Sequence, residues 1–265
     1  MMFLHASKIF FPIDNSDFRS SEYVLLGIPL DSTSSFLPGQ RFGPSSIRRA
    51  CFELETFDME TGIDLKKIKL HDVGDLHIAG SMKENIKRIK ETIAEFSGKK
   101  TIVLGGEHSI TYPIVETINP EAVISLDAHF DLRNSYLGDK LSHACVMRRI
   151  YELGIEEHIL GTREASKEDY EFLKNSNIKN NIPEGKKVYL TIDMDVFDLE
   201  NVGNYVPGGM SFSEGIEIIK KIVQKNEIIG FDICEVCSRK EDKTSITAGK
   251  MLYKILGYME KYKKL

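Results

Sequence analysis

The chain has 265 residues, of which 42% are hydrophobic, and this is enough apolar material to bury one large core. Its formal net charge is -5 at pH 7, with no long run of like charges. The composition therefore gives no electrostatic footprint for nucleic acid or for anionic membranes. We expect one domain over residues 1–265 whose partners are small molecules.

The expected location is the cytoplasm. No stretch approaches the roughly 18 apolar residues that a membrane span needs. The segment from Met1 to Phe11 is interrupted by His5 and Lys8, and no small-residue cleavage site follows it, which argues against a signal peptide.

Cysteine usage favours reduced thiols, because four cysteines in a chain of this length do not make a disulfide framework. Cys234 and Cys237 have the spacing of redox and zinc motifs. No second pair exists to complete a zinc site, so structural use of the pair is the simpler interpretation.

Apolar runs of strand length recur along the chain, separated by helical patterns. A first helix is predicted at Ser81, with Glu84 to complete a capping box and Gly98 past its end, and a second begins in the same way at Ser211 and Glu214. This alternation predicts βαβ units and a mostly parallel sheet. The strand-like runs are Tyr23 to Leu26, Thr101 to Leu104, Ala122 to Leu126, His158 to Leu160, Val188 to Ile192 and Glu227 to Phe231.

Two of these runs end in closely spaced acidic residues. The run at 122–126 continues into Asp-Ala-His-Phe-Asp, and strand alternation would place Asp127, His129 and Asp131 on one face. The run at 188–192 continues into Asp-Met-Asp, with Asp193 and Asp195 two residues apart. The pattern concentrates carboxylates and an imidazole at one edge of the sheet.

A third run, at 101–104, leads into Gly-Gly-Glu-His, which ends at His108. All three clusters follow carboxyl ends of predicted parallel strands, the edge where open α/β sheets bind ligands. Four carboxylates and two imidazoles would repel one another there unless cations neutralised them, so we predict a pair of divalent metal ions. Two such ions can lower the pKa of a water held between them, which indicates hydrolytic chemistry.

The choice of metal follows from the ligand types. Oxygen-rich coordination with two histidines suits manganese better than structural zinc, although zinc or nickel could also occupy the site. A single aspartate at a strand end is usually a helix cap or a turn former, and for His108 alone a satisfied side chain is an equal alternative. The five residues after the two apolar strands together favour the metal site.

Three motifs resemble the metal-binding signatures of the ureohydrolase family of arginases and agmatinases, in the same order. They are Gly-Gly-Glu-His-Ser at 105–109, Asp-Ala-His-Phe-Asp at 127–131 and Asp-Met-Asp at 193–195. The likeness extends from about Tyr23 to the C-terminus. Residues 27–44, 131–133 and 142–149 are similar to the agmatinase version of the family.

The resemblance implies an α/β fold with three α/β/α layers around a central, mostly parallel sheet of about eight strands. It also implies a homotrimer or homohexamer, and two Mn²⁺ ions per subunit with six protein ligands. These ligands are His108 and Asp131 for one ion, His129 and Asp195 for the other, and Asp127 and Asp193 shared between them.

The resemblance further implies roles for Glu235 and His143. Glu235 would hold the substrate guanidinium, and His143 would carry a proton to the leaving amine. From the residues alone, Glu235 could equally be a solvated loop side chain, and His143 could be a helix-start residue. The implied reaction is attack of a metal-bridging hydroxide on the guanidinium carbon of agmatine, which gives putrescine and urea in polyamine synthesis.

Two departures from the family pattern lie near the expected pocket. The loop from Asn201 to Gly209 is shorter than usual, and Cys-Ser-Arg at 237–239 replaces the usual Asn-Pro. Arginine and guanidinobutyrate are therefore alternative substrates, and a catalytically silent homologue is an alternative from another class. Donors for the carboxylate of arginine could come from Arg133, Asn134, Ser135 and Lys140.

Overall fold

A computed structural model describes residues 5–7 and 10–263, so the segment considered as a signal peptide lies partly outside the described residues. Strands and helices alternate along most of the chain. The strands are β1 (Ala6–Ser7), β2 (Tyr23–Ile28), β3 (Phe57–Asp58), β4 (Ile63–Asp64), β5 (Leu70–Leu76), β6 (Lys100–Gly105), β7 (Ala122–Leu126), β8 (Glu156–Leu160), β9 (Lys187–Asp193) and β10 (Glu227–Cys234). The helices are α1 (Gly43–Phe52), α2 (Met82–Ala94), α3 (Thr111–Ile118), α4 (Val146–Glu152), α5 (Lys167–Lys174), α6 (Phe212–Lys225) and α7 (Lys243–Lys261).

The central sheet has eight strands in the order β1-β5-β2-β6-β10-β9-β7-β8. The short edge strand β1 pairs antiparallel with β5, and the other pairings are parallel. Strands β3 and β4 form a separate antiparallel pair. The predicted sheet of about eight mostly parallel strands is confirmed.

Hydrophobic clusters cover both faces of this sheet, which produces the three layers. On β6, Ile102 and Leu104 belong to one cluster and Val103 to the other, as strand alternation requires. Helices α1, α6 and α7 contribute to the first cluster, and α2, α3 and α4 to the second. Burial on both faces explains why the strand sequences are almost continuously apolar.

Both predicted helix starts are present, but of the two predicted capping boxes only the one at α6 is complete. Ser211 and Glu214 exchange both hydrogen bonds at the start of α6. At α2, Ser81 accepts from the backbone N–H of Glu84 at 3.2 Å, whereas the Glu84 carboxylate accepts from Arg88 Nε at 3.1 Å. An ion pair one turn along the helix thus replaces the expected return bond.

Within the described part of the chain, no helix combines the length and apolar character needed to cross a bilayer.

Strand β5 was not predicted from the sequence, because two aspartates interrupt its apolar pattern. Asp72 and Asp75 accept hydrogen bonds from the guanidinium of Arg48, which is only 1% exposed. The buried ion pair joins α1 to the sheet beside β2. Because the partner of the two aspartates is distant in sequence, the apolar pattern of a single sequence does not identify this segment as a strand.

Candidate metal centre

Four adjacent strands of the sheet end at the same edge, and each carries a residue singled out by the sequence. His108 follows β6, Glu235 follows β10, Asp193 is the last residue of β9 with Asp195 just beyond it, and Asp127 follows β7. Because β6, β10, β9 and β7 are neighbours in this order, the four strand ends meet. The topology therefore brings the separate sequence motifs together.

The first cluster forms around one nitrogen of His108. Its Nδ1 lies 3.2 Å from Asp127 Oδ2, 3.1 Å from Asp131 Oδ2 and 3.5 Å from Asp193 Oδ2. Imidazole Nδ1 can donate at most one proton, so three carboxylates around it are not satisfied by hydrogen bonding alone. Such convergence is typical of a cation site.

The other nitrogen of His108 is held by a buried hydroxyl. Nε2 lies 3.0 Å from Thr191 Oγ1, and Thr191 in turn donates to Asp232 Oδ1 at 2.6 Å. Because the Thr191 proton goes to Asp232, the Thr191 oxygen accepts from His108 Nε2–H, and Nδ1 is the ring atom that faces the carboxylates and would bind a metal ion. Thr111 and Tyr189 also donate to Asp232, each at 2.9 Å.

The second cluster forms around His129. Its Nδ1 lies 2.9 Å from Asp195 Oδ2 and 3.6 Å from Asp127 Oδ1, so Asp127 belongs to both clusters. The other oxygen of Asp127, Oδ2, is buried and faces His108, yet it makes no hydrogen bond with any described residue. A buried oxygen without a donor fits a position that a metal ion would satisfy. Asn204 Nδ2 lies 3.0 Å from His129 Nε2.

The expectation that strand alternation aligns Asp127, His129 and Asp131 is wrong. β7 ends at Leu126, so the three residues belong to a loop, and Asp131 has the left-handed backbone angle φ 50°. This loop turns Asp127 and Asp131 towards His108 and turns His129 towards Asp195. The residues still converge, but on two positions rather than on one face.

Burial and mutual repulsion perturb the titration of the whole centre. Burial, together with the charge of Asp127, raises the pKa of Asp131 to about 6. Burial followed by the charges of Asp195 and Asp127 raises the pKa of Asp193. Burial alone would lower the pKa of His129, but hydrogen bonds to Asp127 and Asp195 raise it to about 11. Without metal, the centre balances its charge by retaining protons, and two divalent cations would replace them. The residues therefore fit a binuclear site.

One thiol also borders the centre, which the sequence did not suggest. Cys234 Sγ lies within 4.8 Å of ligand atoms of His108 and Asp193. Burial raises its pKa well above the usual range, so it stays a thiol and donates to Ile192 O at 3.5 Å. Cys237 donates elsewhere, to Leu37 O at 3.4 Å. The two thiols therefore donate to different parts of the structure and form no disulfide.

Glu235 lies beside the metal centre and is held at both oxygens. Oε1 accepts from the backbone N–H of His108 at 2.7 Å, and Oε2 accepts from Gln40 Nε2 at 2.8 Å. Its backbone is left-handed, with φ 63°. Burial raises the pKa of this carboxyl above its usual value. The geometry fixes an acidic group in one orientation.

His143 begins the 3₁₀ turn His143–Cys145 that leads into α4. Its Nδ1 lies 3.1 Å from Thr33 Oγ1, and its ring meets the edge of Tyr136 at a centroid distance of 5.7 Å. Burial, and then the charges of His108 and His129, lower its pKa to about 4. The imidazole is therefore neutral near pH 7.

A cavity of about 170 Å³ joins these groups. His108 and Asp127 lie beneath the cavity and are almost fully buried. Arg133, Tyr136 and Glu164 form part of the cavity wall. The lining includes His129, Asp131, Asp193, Asp195, His143, Glu235, and Gly203 and Asn204 of the shortened loop. The six metal-ligand candidates, together with His143 and Glu235, thus lie in or directly beneath one cavity.

Comparison with known proteins places this geometry in a family. The model described as "Arginase family" matches residues 21–181 and 176–257. An agmatinase of Pyrococcus horikoshii is 39% identical over 265 residues, covering 91% of this chain and 93% of that protein. An N(1)-aminopropylagmatine ureohydrolase of Thermococcus kodakarensis is also 39% identical, over 280 residues and 96% of both chains.

Comparison with solved structures also identifies an agmatine ureohydrolase as a similar protein. The crystal structure of the agmatine ureohydrolase of Thermoplasma volcanium superposes with a TM-score of 0.86 at 30% identity, covering 95% of this chain and 94% of that one. The chain belongs to the arginase family, with agmatinase-type hydrolases among its relatives.

Proposed function

We propose that the protein hydrolyses agmatine to putrescine and urea with two Mn²⁺ ions per subunit. The observation that carries this proposal is the meeting of two metal-competent clusters with Glu235 and His143 in one cavity. A family fold alone would not carry it, because function depends on the site.

Six side chains would hold the two ions. Asp127 would contribute a ligand to both positions, because its two oxygens face different histidines. Asp193 is the second candidate for a shared ligand. When bound, such a pair of ions lowers the pKa of a water held between them and supplies the hydroxide nucleophile. The remaining ligands are His108 and Asp131 in the first cluster and His129 and Asp195 in the second.

Glu235 would bind the guanidinium. A guanidinium stays protonated at any relevant pH and offers several N–H donors, which match a carboxylate in the cavity wall. Because Gln40 and the His108 backbone already fix both oxygens, little ordering is needed when substrate binds. The pairing would hold the guanidinium carbon beside the metal centre.

His143 would move the proton. As the C–N bond breaks, the departing nitrogen needs a proton, and an imidazole bordering the cavity can provide it. The lowered pKa of His143 makes the ring a ready donor once it has taken up a proton. Urea and a neutral amine then leave the site.

The substrate tail is the least constrained part of the proposal. Glu164 on the cavity wall would favour a tail that ends in an amine, as in agmatine, whereas Arg133 would favour a carboxylate, as in arginine. N(1)-aminopropylagmatine is a second candidate, because the similar Thermococcus protein is named for it. Agmatine and N(1)-aminopropylagmatine carry the same guanidinium and differ only at the amine end of the tail.

The test is urea release by the Mn²⁺-loaded protein with agmatine, N(1)-aminopropylagmatine, arginine and guanidinobutyrate supplied in parallel. The highest kcat/KM for agmatine would support the full proposal. Preference for another of these compounds would retain the chemistry and replace the substrate. No urea from any of them, with two metal ions verified per subunit, would contradict the hydrolase proposal.

We also propose that the protein forms a homotrimer or a homohexamer, as the family resemblance implies. Light scattering coupled to size-exclusion chromatography measures the mass directly. A mass other than three or six subunits of 30.1 kDa would contradict this part of the proposal.

A further inference from the structure

The proposed reaction assigns no role to Glu107, the glutamate of the Gly-Gly-Glu-His motif. Its side chain is fully buried. Oε2 accepts from the backbone N–H of Thr33 at 2.6 Å, and Oε1 accepts from Thr33 Oγ1 at 2.8 Å and from Ser109 Oγ at 2.5 Å. A buried carboxylate held by hydroxyls and a backbone N–H calls for an explanation.

The donors around Glu107 determine where its neighbours place their protons. Three donors converge on the two oxygens of Glu107, and this favours its ionised form, although burial raises the pKa of the carboxyl. A backbone N–H can only donate, and an ionised carboxylate can only accept. The single hydroxyl proton of Thr33 therefore goes to Glu107. This leaves the lone pairs of Thr33 Oγ1 free to accept hydrogen bonds from other groups.

Both groups that contact this oxygen from the other side belong to His143. Its backbone N–H donates to Thr33 Oγ1 at 3.1 Å, and its Nδ1 lies 3.1 Å from the same oxygen. Because Thr33 Oγ1 has no proton left to give, Nδ1 must carry one. The neutral ring then has its lone pair on Nε2.

We propose that Thr33 and Glu107 are positioning residues that hold His143 in the Nδ1–H tautomer, so that Nε2 is the atom that carries the proton to the leaving nitrogen. The catalytic consequence rests on the proposed function, whereas the tautomer itself does not.

The hydrogen bonds from His143 through Thr33 to Glu107 are compatible with both the neutral and the protonated form of the His143 ring. Nε2 takes up the hydroxyl proton of the tetrahedral adduct as the C=O bond of urea forms, and it gives this proton to the leaving nitrogen. The electron pair of the breaking C–N bond forms the new N–H bond, and the ring returns to the neutral Nδ1–H form whose proton Thr33 Oγ1 accepts. When Nε2 is protonated, the Nδ1–H bond to Thr33 is kept and the anionic Glu107 lies behind it. One orientation of the ring therefore serves the whole cycle.

A purely structural role is the competing explanation, since the same bonds also tie the loop after β2 to the end of β6. Two substitutions separate the alternatives. Thr33→Val keeps the shape of the side chain and removes the hydroxyl, and Thr33→Ser keeps the hydroxyl and removes a methyl group. Only a role of the hydroxyl gives these variants opposite results.

The experiment combines spectroscopy with kinetics. Long-range ¹H–¹⁵N spectra of histidine-labelled protein without paramagnetic metal report which ring nitrogen is protonated, and His143→Gln assigns the signal. We expect the Nδ1–H form in the wild type and in Thr33→Ser, and its loss in Thr33→Val. In the Mn²⁺-loaded protein, Thr33→Val should lower kcat by about 10- to 100-fold with KM within about threefold, and Thr33→Ser should recover most of kcat.

A wild-type ring protonated at Nε2 would overturn the proposal, and this spectrum requires no variant to fold. Equal losses of kcat in Thr33→Val and Thr33→Ser, or an unchanged tautomer in Thr33→Val, would also overturn it. Failure of the proposed function would be distinguishable, because the wild type would then release no urea while its spectrum still showed the tautomer.

Discussion

Gly203 lies so close to Glu235 that a Cβ at position 203 would be 1.9 Å from Oε2 of that carboxylate. The same Cβ would lie 2.8 Å from Gln40 Nε2, which donates to Glu235. The shortened loop therefore packs against the carboxylate proposed to bind the guanidinium, and only a residue without a side chain fits at position 203.

Gly203→Ala should displace Glu235 and lower kcat/KM on the order of 100-fold, because misplacement by about 1 Å has effects of that size. Gly80→Ala is the matched control, since a Cβ at Gly80 meets nothing within 4 Å. Steady-state kinetics of the two variants test the prediction. Wild-type kcat/KM in Gly203→Ala would show that the loop does not set the position of Glu235.

Glu235→Gln should separate substrate binding from metal binding. The amide keeps the shape of the side chain but loses the charge that pairs with a guanidinium, so we expect kcat/KM to fall about 10- to 100-fold. Manganese content by elemental analysis should stay at the wild-type value, because Glu235 is outside both clusters. A loss of metal in this variant would place Glu235 among the ligands instead.

Asp127→Asn should affect both metal positions, because Asp127 is common to the two clusters. Asp131→Asn, which alters only the first cluster, should retain more metal after dialysis. Mn²⁺ at about 100 times its Kd should stabilise the wild type by roughly 2.7 kcal/mol, and this gain should be absent in Asp127→Asn. Elemental analysis and thermal unfolding measure the two effects. Two tightly bound ions in Asp127→Asn would refute the shared role.

Glu157 on β8 gives a prediction about stability and pH. It is 2% exposed, neither oxygen has a hydrogen-bond partner among the described residues, and burial raises its pKa well above 4.5. The folded state therefore keeps the proton that the unfolded chain releases above pH 4.5, so the stability contribution falls as pH rises from there. The loss is at most about 1.4 kcal/mol per pH unit until the folded pKa is reached.

Glu157→Gln removes this ionisation, so it should be more stable than the wild type at pH 8 and gain much less at pH 5. Glu156→Gln is the control of opposite sign, because hydrogen bonds from Lys179, and then from His158 and Lys186, lower the pKa of the partly exposed Glu156 to about 2. Urea denaturation at the two pH values measures the difference. A pH-independent effect of Glu157→Gln would contradict the prediction.

The sequence predicted the elements whose signals are local. Continuous apolar runs located six strands, and β7 was predicted with the same bounds that it has in the structure. The metal-ligand candidates could be found because each follows such a run. The shift from strand to loop at Asp127 was not predicted, because a strand and a loop that both carry polar residues at alternate positions look alike in one sequence.

The supporting network could not be predicted in the same way. Thr191 and Asp232 hold His108 from two other strands, and Thr33 and Glu107 are 74 residues apart. Threonine and glutamate have many uses in a protein, and only the strand order places these hydroxyls beside the imidazoles. The candidate catalytic groups can be recognised from residue type, whereas the groups that orient them can be recognised only from the fold.

Asp131 and Glu235 share an uncommon property, since both non-glycine residues have left-handed backbones, with φ 50° and 63°. Such a conformation costs about 1 kcal/mol or more for a residue with a side chain, and glycine would adopt it freely. Selection for activity therefore opposes selection for stability at both positions. In relatives that have lost the activity, we expect glycine to replace these two residues early. We expect such relatives to retain the fold.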